Sequence, residues 1–133
     1  MNPSNNDIIH VPISLGELID KITILEIKNE FINDPLKLSH IQEELTLLQV
    51  LIPEHLKKSK ELAQLHSDLK AINISIWKSE DGVRAANKTI PFDEKVYLEQ
   101  TKNSHSMNEE RFKAKQKINL LSGSYIQEQK SYD

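Results

Sequence analysis

The sequence predicts an all-α fold: an antiparallel domain resembling a four-helix bundle, with a long helical hairpin. Three observations lead to this expectation. The 133 residues include only three glycines and 5% aromatic residues, with abundant leucine, isoleucine, lysine and glutamate, a composition typical of helices. Apolar side chains recur at spacings of three and four residues. Prolines interrupt that pattern where the chain would have to turn a corner.

The first predicted helix covers residues 15–32 and begins at a capping box. Ser14 can accept a hydrogen bond from the amide of Glu17, and the Glu17 carboxylate can reach back to the amide of Ser14. The apolar side chains of this helix fall on two nearly opposite faces when successive residues are placed 100° apart. Such a helix lies in the middle of a bundle, or between a bundle and a partner.

Prolines mark the starts of the second and third predicted helices. Asp34 can cap and Pro35 suits a first helical position, so the second helix is predicted over 36–51. Pro53 opens the third in the same way, over 54–87. The apolar stripe of the third helix has the heptad spacing of coiled coils: Leu62, Leu65, Leu69, Ile72, Ile76 and Val83.

The fourth predicted helix covers 94–121, after a connection that contains a proline and ends at Asp93, a capping residue. Residues 1–12 are expected to be extended or flexible, and 123–133 to form a short tail. The length fits a single helical domain over 1–133. Short corners predict antiparallel packing. The hairpin of the last two helices is too long for the first two to cover, so a second copy of the chain is expected on it.

Composition and spacing exclude several classes of function. The chain has no cysteine, so it can form no disulfide, thiolate metal site or cysteine nucleophile. A net charge of −3 argues against nucleic-acid binding. The histidines have no metal-ligand spacing and the glycines form no phosphate loop, so no metal or cofactor is expected. No targeting signal or membrane span is visible, and the expectation is a soluble cytoplasmic protein.

The first helix also carries polar side chains with few routes to solvent. Asp20 projects beside apolar side chains on one edge, and Glu26 does so on the other. One interpretation is structural ion pairs with lysines or with one of the two arginines, Arg84 and Arg111. The other is a polar site between helices, with Asp20 or Glu26 as acid or base. Its candidate residues are Glu17, Asp20, Lys21, Glu26, Lys28, Arg84 and Asn119.

The stretch VPISLGELIDKITILEIKNEFINDPLKL, residues 11–38, resembles an uncharacterised bacterial family of unknown function that is marked by a GELIDKITILEIK-like block. The resemblance continues through four later segments, at residues 74–77, 80–84, 118–120 and 123–132. It implies no established activity and no catalytic residue. It does imply an association with cell-surface polysaccharide assembly and its glycosyltransferases.

A shallower resemblance links the first helix to the all-helical chorismate mutases, whose long first helix also reads ID-x-I. That enzyme type needs several arginines and lysines to bind a dicarboxylate, and here Glu30 and Phe31 stand where an arginine is expected. The similarity is therefore a remote analogy.

Two functional hypotheses follow, and they leave open whether the protein is an enzyme. The first is a non-catalytic interaction or assembly module, a homodimer or other homo-oligomer that docks on a protein partner. The two-faced first helix, the long hairpin and the missing catalytic motifs favour it. The alternative is a helical bundle that binds a small molecule, or acts on one, at the polar site between its helices.

Overall fold

The computed structural model describes residues 7–88 and 93–123. Within these residues the protein is all helical, which confirms the predicted fold class. The described residues form four α-helices, and a short 3-10 turn over Glu54–Leu56 precedes the third of them. The helices are α1 (Leu15–Phe31), α2 (Pro35–Gln49), α3 (Lys60–Lys88) and α4 (Glu94–Ser122).

The helix ends follow the capping residues that the sequence contains. The Ser14 hydroxyl accepts a hydrogen bond from the Glu17 amide at 3.1 Å and starts α1. The carboxylates of Asp34 and Asp93 accept amides in the first turns of α2 and α4 in the same way. Gly123 ends α4 with a φ of 67°, the left-handed conformation that glycine adopts at low cost.

The predicted start of the third helix was wrong. Residue 54 begins a 3-10 turn, and the α-helix starts six residues later at Lys60. The hydroxyl of Ser59 accepts a hydrogen bond from the amide of Leu62 at 3.1 Å, so Ser59 acts as the true cap. The turn places Leu56 in the core. The other predicted helix ends agree with the structure to within two residues.

α1 is the central helix of the fold. α3 and α4 pack against each other as a hairpin, α1 lies against both of them, and α2 packs mainly on α1. The core consists chiefly of side chains from α1, α3 and α4, with Ile19, Ile22, Leu69 and Ile118 wholly buried. In α2 only Ile41 is buried. α2 is therefore a peripheral helix, held to the molecule along one face.

The hairpin extends past the helix that covers it. α3 and α4 have 29 residues each and are about 44 Å long, whereas the 17 residues of α1 span about 26 Å. The buried residues of α4 all lie in its last third, where α1 packs. Among the described helices, none combines the length and the apolar character that crossing a membrane requires.

Candidate functional site

Asp20 is at the centre of a buried polar cluster between α1, α3 and α4. Its side chain is 1% exposed. Arg111 of α4 contacts both carboxylate oxygens, with Nε donating to Oδ1 at 2.9 Å and Nη2 to Oδ2 at 2.5 Å. Asn73 of α3 donates from Nδ2 to the same Oδ1 at 2.9 Å. Bidentate contact with arginine is the strongest neutralisation that a side chain can offer a carboxylate.

The Thr23 hydroxyl links the backbone of α1 to this cluster by hydrogen bonds. The Thr23 hydroxyl donates to the carbonyl oxygen of Asp20 at 2.7 Å and accepts from Asn73 Nδ2 at 2.8 Å. Both side chains are buried. Because Asp20 already accepts three hydrogen bonds, it has little capacity left to take a proton from a substrate. This part of the candidate site thus matches the interpretation of a structural ion pair.

Two further contacts join α1 to α4 beside this cluster. Residue numbers rise along α1 as they fall along α4, so the two helices are antiparallel. The pairs are Gly16 amide to Asn119 Oδ1 at 2.7 Å, Lys115 Nζ to Glu17 Oε2 at 3.3 Å, and Arg111 to Asp20. The spacing of four residues along α4 places all three donors and acceptors on one face.

Gly16 permits the close approach of these helices. A Cβ atom at this position would lie 2.5 Å from the carbonyl oxygen of Lys115 and 2.8 Å from Oδ1 of Asn119. The first contact is with backbone, which cannot rotate away as a side chain does. Only glycine fits between the start of α1 and the last turns of α4.

Glu26 pairs with a histidine that the sequence reasoning missed. Its Oε1 lies 2.7 Å from Nε2 of His66 on α3. Burial acts to raise the pKa of Glu26, but the hydrogen bond and charge of His66, with the charge of Lys70, outweigh it and lower that pKa. Lys70 in turn bonds Glu30 at 2.6 Å, which raises the pKa of Lys70. Residues 66, 70 and 73 share one face of α3, but the sequence does not show that this face meets Glu26.

The seven candidate site residues do not converge on one cavity. Glu17, Asp20 and Asn119 lie along the interface with α4, as described above, and Glu26 lies against α3. Lys21 is exposed. Arg84 pairs with Asp81 of its own helix. Arg84 lines a groove of about 390 Å³ together with Tyr97, His105 and other residues. This groove lies on the distal hairpin, the part formed by the end of α3 and the first half of α4.

Lys28 lines a separate small cavity of about 220 Å³ next to the Asp20 cluster. Isoleucines and the indole of Trp77 form its apolar walls, and Arg111 and Glu80 add charge. Phe31 stacks against Trp77 with ring centroids 6.1 Å apart. The cavity could hold a small organic anion with an apolar body. The described residues contain no group of three or more acidic or histidine side chains arranged for a metal ion.

A different kind of candidate site is the outer face of α2. While one side of this helix rests on α1, the other exposes Leu36 (69%), Leu47 (57%) and Val50 (65%), and Leu51 follows in the next turn (60%). Leu51 also lines a groove of about 370 Å³ with Val11 and Ile13. Large apolar side chains exposed on one helix face are typical of protein interfaces.

Comparison with known proteins identifies a family but no activity. A protein-family model, described as a family of unknown function (DUF6165), matches residues 9–133. This match confirms the expected membership of a family of unknown function. No curated protein matches the chain, and no solved structure does.

Proposed function

This chain belongs to DUF6165, a family of unknown function, and we propose that it is a non-catalytic assembly module that pairs with a second copy of itself. The proposal places the second copy on α2 and not on the hairpin, where the sequence suggested it, and it rests on one observation. α2 is attached to the molecule through its inner face and presents large apolar side chains on its outer face. Covering those side chains removes apolar surface from water, the main driving force of association.

The hydrogen-bond partners of Asp20 and Glu26 support the proposal that the module is non-catalytic. The carboxylate of Asp20 is saturated by Arg111 and Asn73, and that of Glu26 is bonded to His66. Groups that serve as general acids or bases need an open path to a substrate. Here the two carboxylates, one buried and one half-buried, instead hold helices together.

The oligomeric state of the whole chain tests this proposal. We expect light scattering after size exclusion to show a dimer whose fraction rises with concentration. Leu47→Glu places a charge at the centre of the outer face of α2 and should give a monomer. Leu98→Glu is the matched control, since Leu98 is an exposed leucine (48%) on α4. A parent protein that is monomeric at every concentration would refute the proposal.

A partner in cell-surface polysaccharide assembly, such as a glycosyltransferase, is a further proposal that rests on the family resemblance alone. Its test is direct binding between the purified chain and a purified enzyme of that class, measured with the Leu47→Glu variant alongside. Equal binding by both proteins would place the partner on another surface. No binding by the parent would remove this part of the proposal.

The cavity next to Trp77 favours a second candidate function, the binding of a small organic anion. Lys28 brings a positive charge to its lining, and the isoleucines offer apolar contact. Trp77 is the only tryptophan of the chain, so its fluorescence reports directly on the cavity. Cyclohexanecarboxylate, which does not absorb where tryptophan does, is a suitable probe. Lys28→Met should abolish a saturable change in Trp77 emission that Lys21→Met leaves intact; no saturable change in the parent would reject this candidate.

A further inference from the structure

We infer that two copies pair through α2 in antiparallel orientation, with Leu36 of each copy opposite Leu47 of the other and His40 opposite Glu43. This inference rests on the proposed self-association and adds to it the direction and register of pairing. Three observations carry it: the spacing of the exposed residues, the positions of a histidine and a carboxylate among them, and the charges on one flank of the same face.

The exposed residues of α2 form a continuous seam. Leu36, His40, Glu43, Leu47 and Val50 are separated by steps of four, three, four and three residues, and all five are exposed. That spacing keeps side chains on one stripe of a helix and lets it mesh with a second helix. The inner stripe, which includes Ile41 and Leu45, is about half a turn away and packs toward α1.

The two polar positions of the seam, His40 and Glu43, determine the direction of pairing. In a parallel pair each position meets its own copy, so Glu43 would face Glu43 and His40 would face His40. In an antiparallel pair with Leu36 opposite Leu47, each His40 faces a Glu43, and a histidine can donate a hydrogen bond to a carboxylate in either of its charge states. Opposed like charges disfavour the parallel arrangement and complementary groups favour the antiparallel one.

One flank of the seam agrees with this choice. Lys37 and Glu44 are two turns apart on the same flank, and both are exposed. In an antiparallel pair a flank meets the same flank of the other helix, so each Lys37 comes near a Glu44. Because an antiparallel pair of identical helices has two-fold symmetry, this contact occurs twice in the dimer. Among the described residues, the ion pairs within the chain involve neither side chain.

The expected contact is short. From Leu36 to Leu47 the seam covers about 16 Å, or three turns of helix. Interfaces of this size are at the small end of specific contacts and are mostly weak or transient. We therefore expect a dissociation constant on the order of micromolar rather than nanomolar.

Single cysteines test the register directly, because the natural chain contains none. Leu36→Cys and Leu47→Cys chains, one of them carrying a tag to distinguish its mass, are mixed and oxidised mildly. Antiparallel pairing brings residue 36 of one copy against residue 47 of the other, so mixed disulfides should predominate. Two copies of residue 47 would lie about 16 Å apart, beyond the Cα separation that a disulfide permits.

The outcomes of this experiment distinguish the direction of pairing, the location of the contact and the existence of a dimer. Predominant linkage between two Leu47→Cys chains would show parallel pairing and overturn the inference. A parent dimer in which neither linkage forms would place the contact elsewhere and overturn it as well. A parent protein that never dimerises would instead refute the proposed function.

Neutralising Glu43 gives an independent readout of direction. In the antiparallel arrangement Glu43→Gln removes the charge that faces His40, and dimerisation should weaken about tenfold. In a parallel arrangement the same change relieves repulsion between two carboxylates and should strengthen it. Gln42→Glu, beside the seam on the same helix, serves as the control for altered net charge.

Discussion

A single carboxylate determines how three of the helices meet. Asp20 receives donors from α3 and α4 while it belongs to α1, and it is almost completely buried. A buried ion pair adds little net stability over an apolar replacement, but it penalises every arrangement in which one partner is left unpaired. We therefore expect the cluster to restrict the register of α1 on the hairpin more than it adds to the free energy of folding.

The first prediction concerns this pair. Arg111→Met leaves the Asp20 carboxylate buried without its cation and should cost about 3 to 5 kcal/mol of unfolding free energy. Asp20→Asn leaves a guanidinium that is partly exposed and should cost less, about 2 kcal/mol. Chemical denaturation of both variants measures the difference. If either variant is as stable as the parent, the pair is maintained for function rather than for structure.

The second prediction concerns acid stability. The pKa of Glu26 is lower in the folded protein than its usual 4.5, so the folded state favours the charged form. This contribution is fully present above about pH 4.5 and is lost as the pH falls through the folded pKa. Unfolding free energies of the parent and of Glu26→Gln should thus differ at neutral pH and converge as the pH falls from 4.5 through the lowered pKa of Glu26 in the folded state. A constant difference across this range would argue against the His66 contact.

At the residue scale, the sequence identified the carboxylates that need a partner but not the side chains that pair with them. Asp20 and Glu26 could be singled out because a two-faced helix leaves their carboxylates few routes to water. Arg111 was one of several cations that could have paired with Asp20. His66 could not be assigned to Glu26, because their contact depends on how α1 crosses α3, and that angle is set by packing over the whole interface.

At the scale of helices, Gly16 is the residue on which the packing of α1 against α4 depends. The third prediction is that Gly16→Ala destabilises the protein by about 1 to 3 kcal/mol, since the added methyl group collides with the backbone of α4. Thermal unfolding followed by circular dichroism measures the loss.

Gly82→Ala is the matched control for this substitution. The added Cβ at Gly82 would meet only the flexible side chain of Gln100. The variant should be as stable as the parent or gain up to about 1 kcal/mol, because alanine favours the interior of a helix over glycine. Equal destabilisation by both substitutions would show that the contact with α4 is not the cause.

Three of the four helix starts were predicted correctly from side chains that close the first turn. Ser14, Asp34 and Asp93 each cap the helix that the sequence suggested. The error fell at residues 54–59, where Pro53 could start either a helix or a 3-10 turn. Ser59 and its local hydrogen bonds decided between them. Local propensities of the two alternatives are similar, and burial of Leu56 favours the turn.

At the scale of the whole molecule, the helices differ in how firmly they are held. α1 is packed by the other three helices, whereas α2 rests mainly on α1. The sequence predicted a central first helix from its two apolar faces. It could not predict that α2 would be peripheral, because that depends on where α1 lies relative to the other helices.

The fourth prediction is an ordering of amide hydrogen exchange. Amides of α1 should exchange slowest, through global unfolding, and those of α2 faster, through local detachment. Raising the protein concentration should slow exchange in α2 and leave the distal hairpin unchanged, because only α2 enters the proposed dimer contact. Exchange of α2 that is independent of concentration would argue against that contact.

The hydrogen bond between Gly16 and Asn119 has a consequence for folding during translation. Its two ends are 103 positions apart in the chain. A ribosome that adds about 5 to 20 residues each second needs roughly 5 to 20 seconds to make that interval. Of the four helices α1 emerges first, with apolar side chains on two sides, and α4, which packs against it, is made after the other three. Until the hairpin of α3 and α4 has been synthesised, part of the apolar surface of α1 therefore has no native contact. Chaperones or transient collapse of the nascent chain must shield this surface from water.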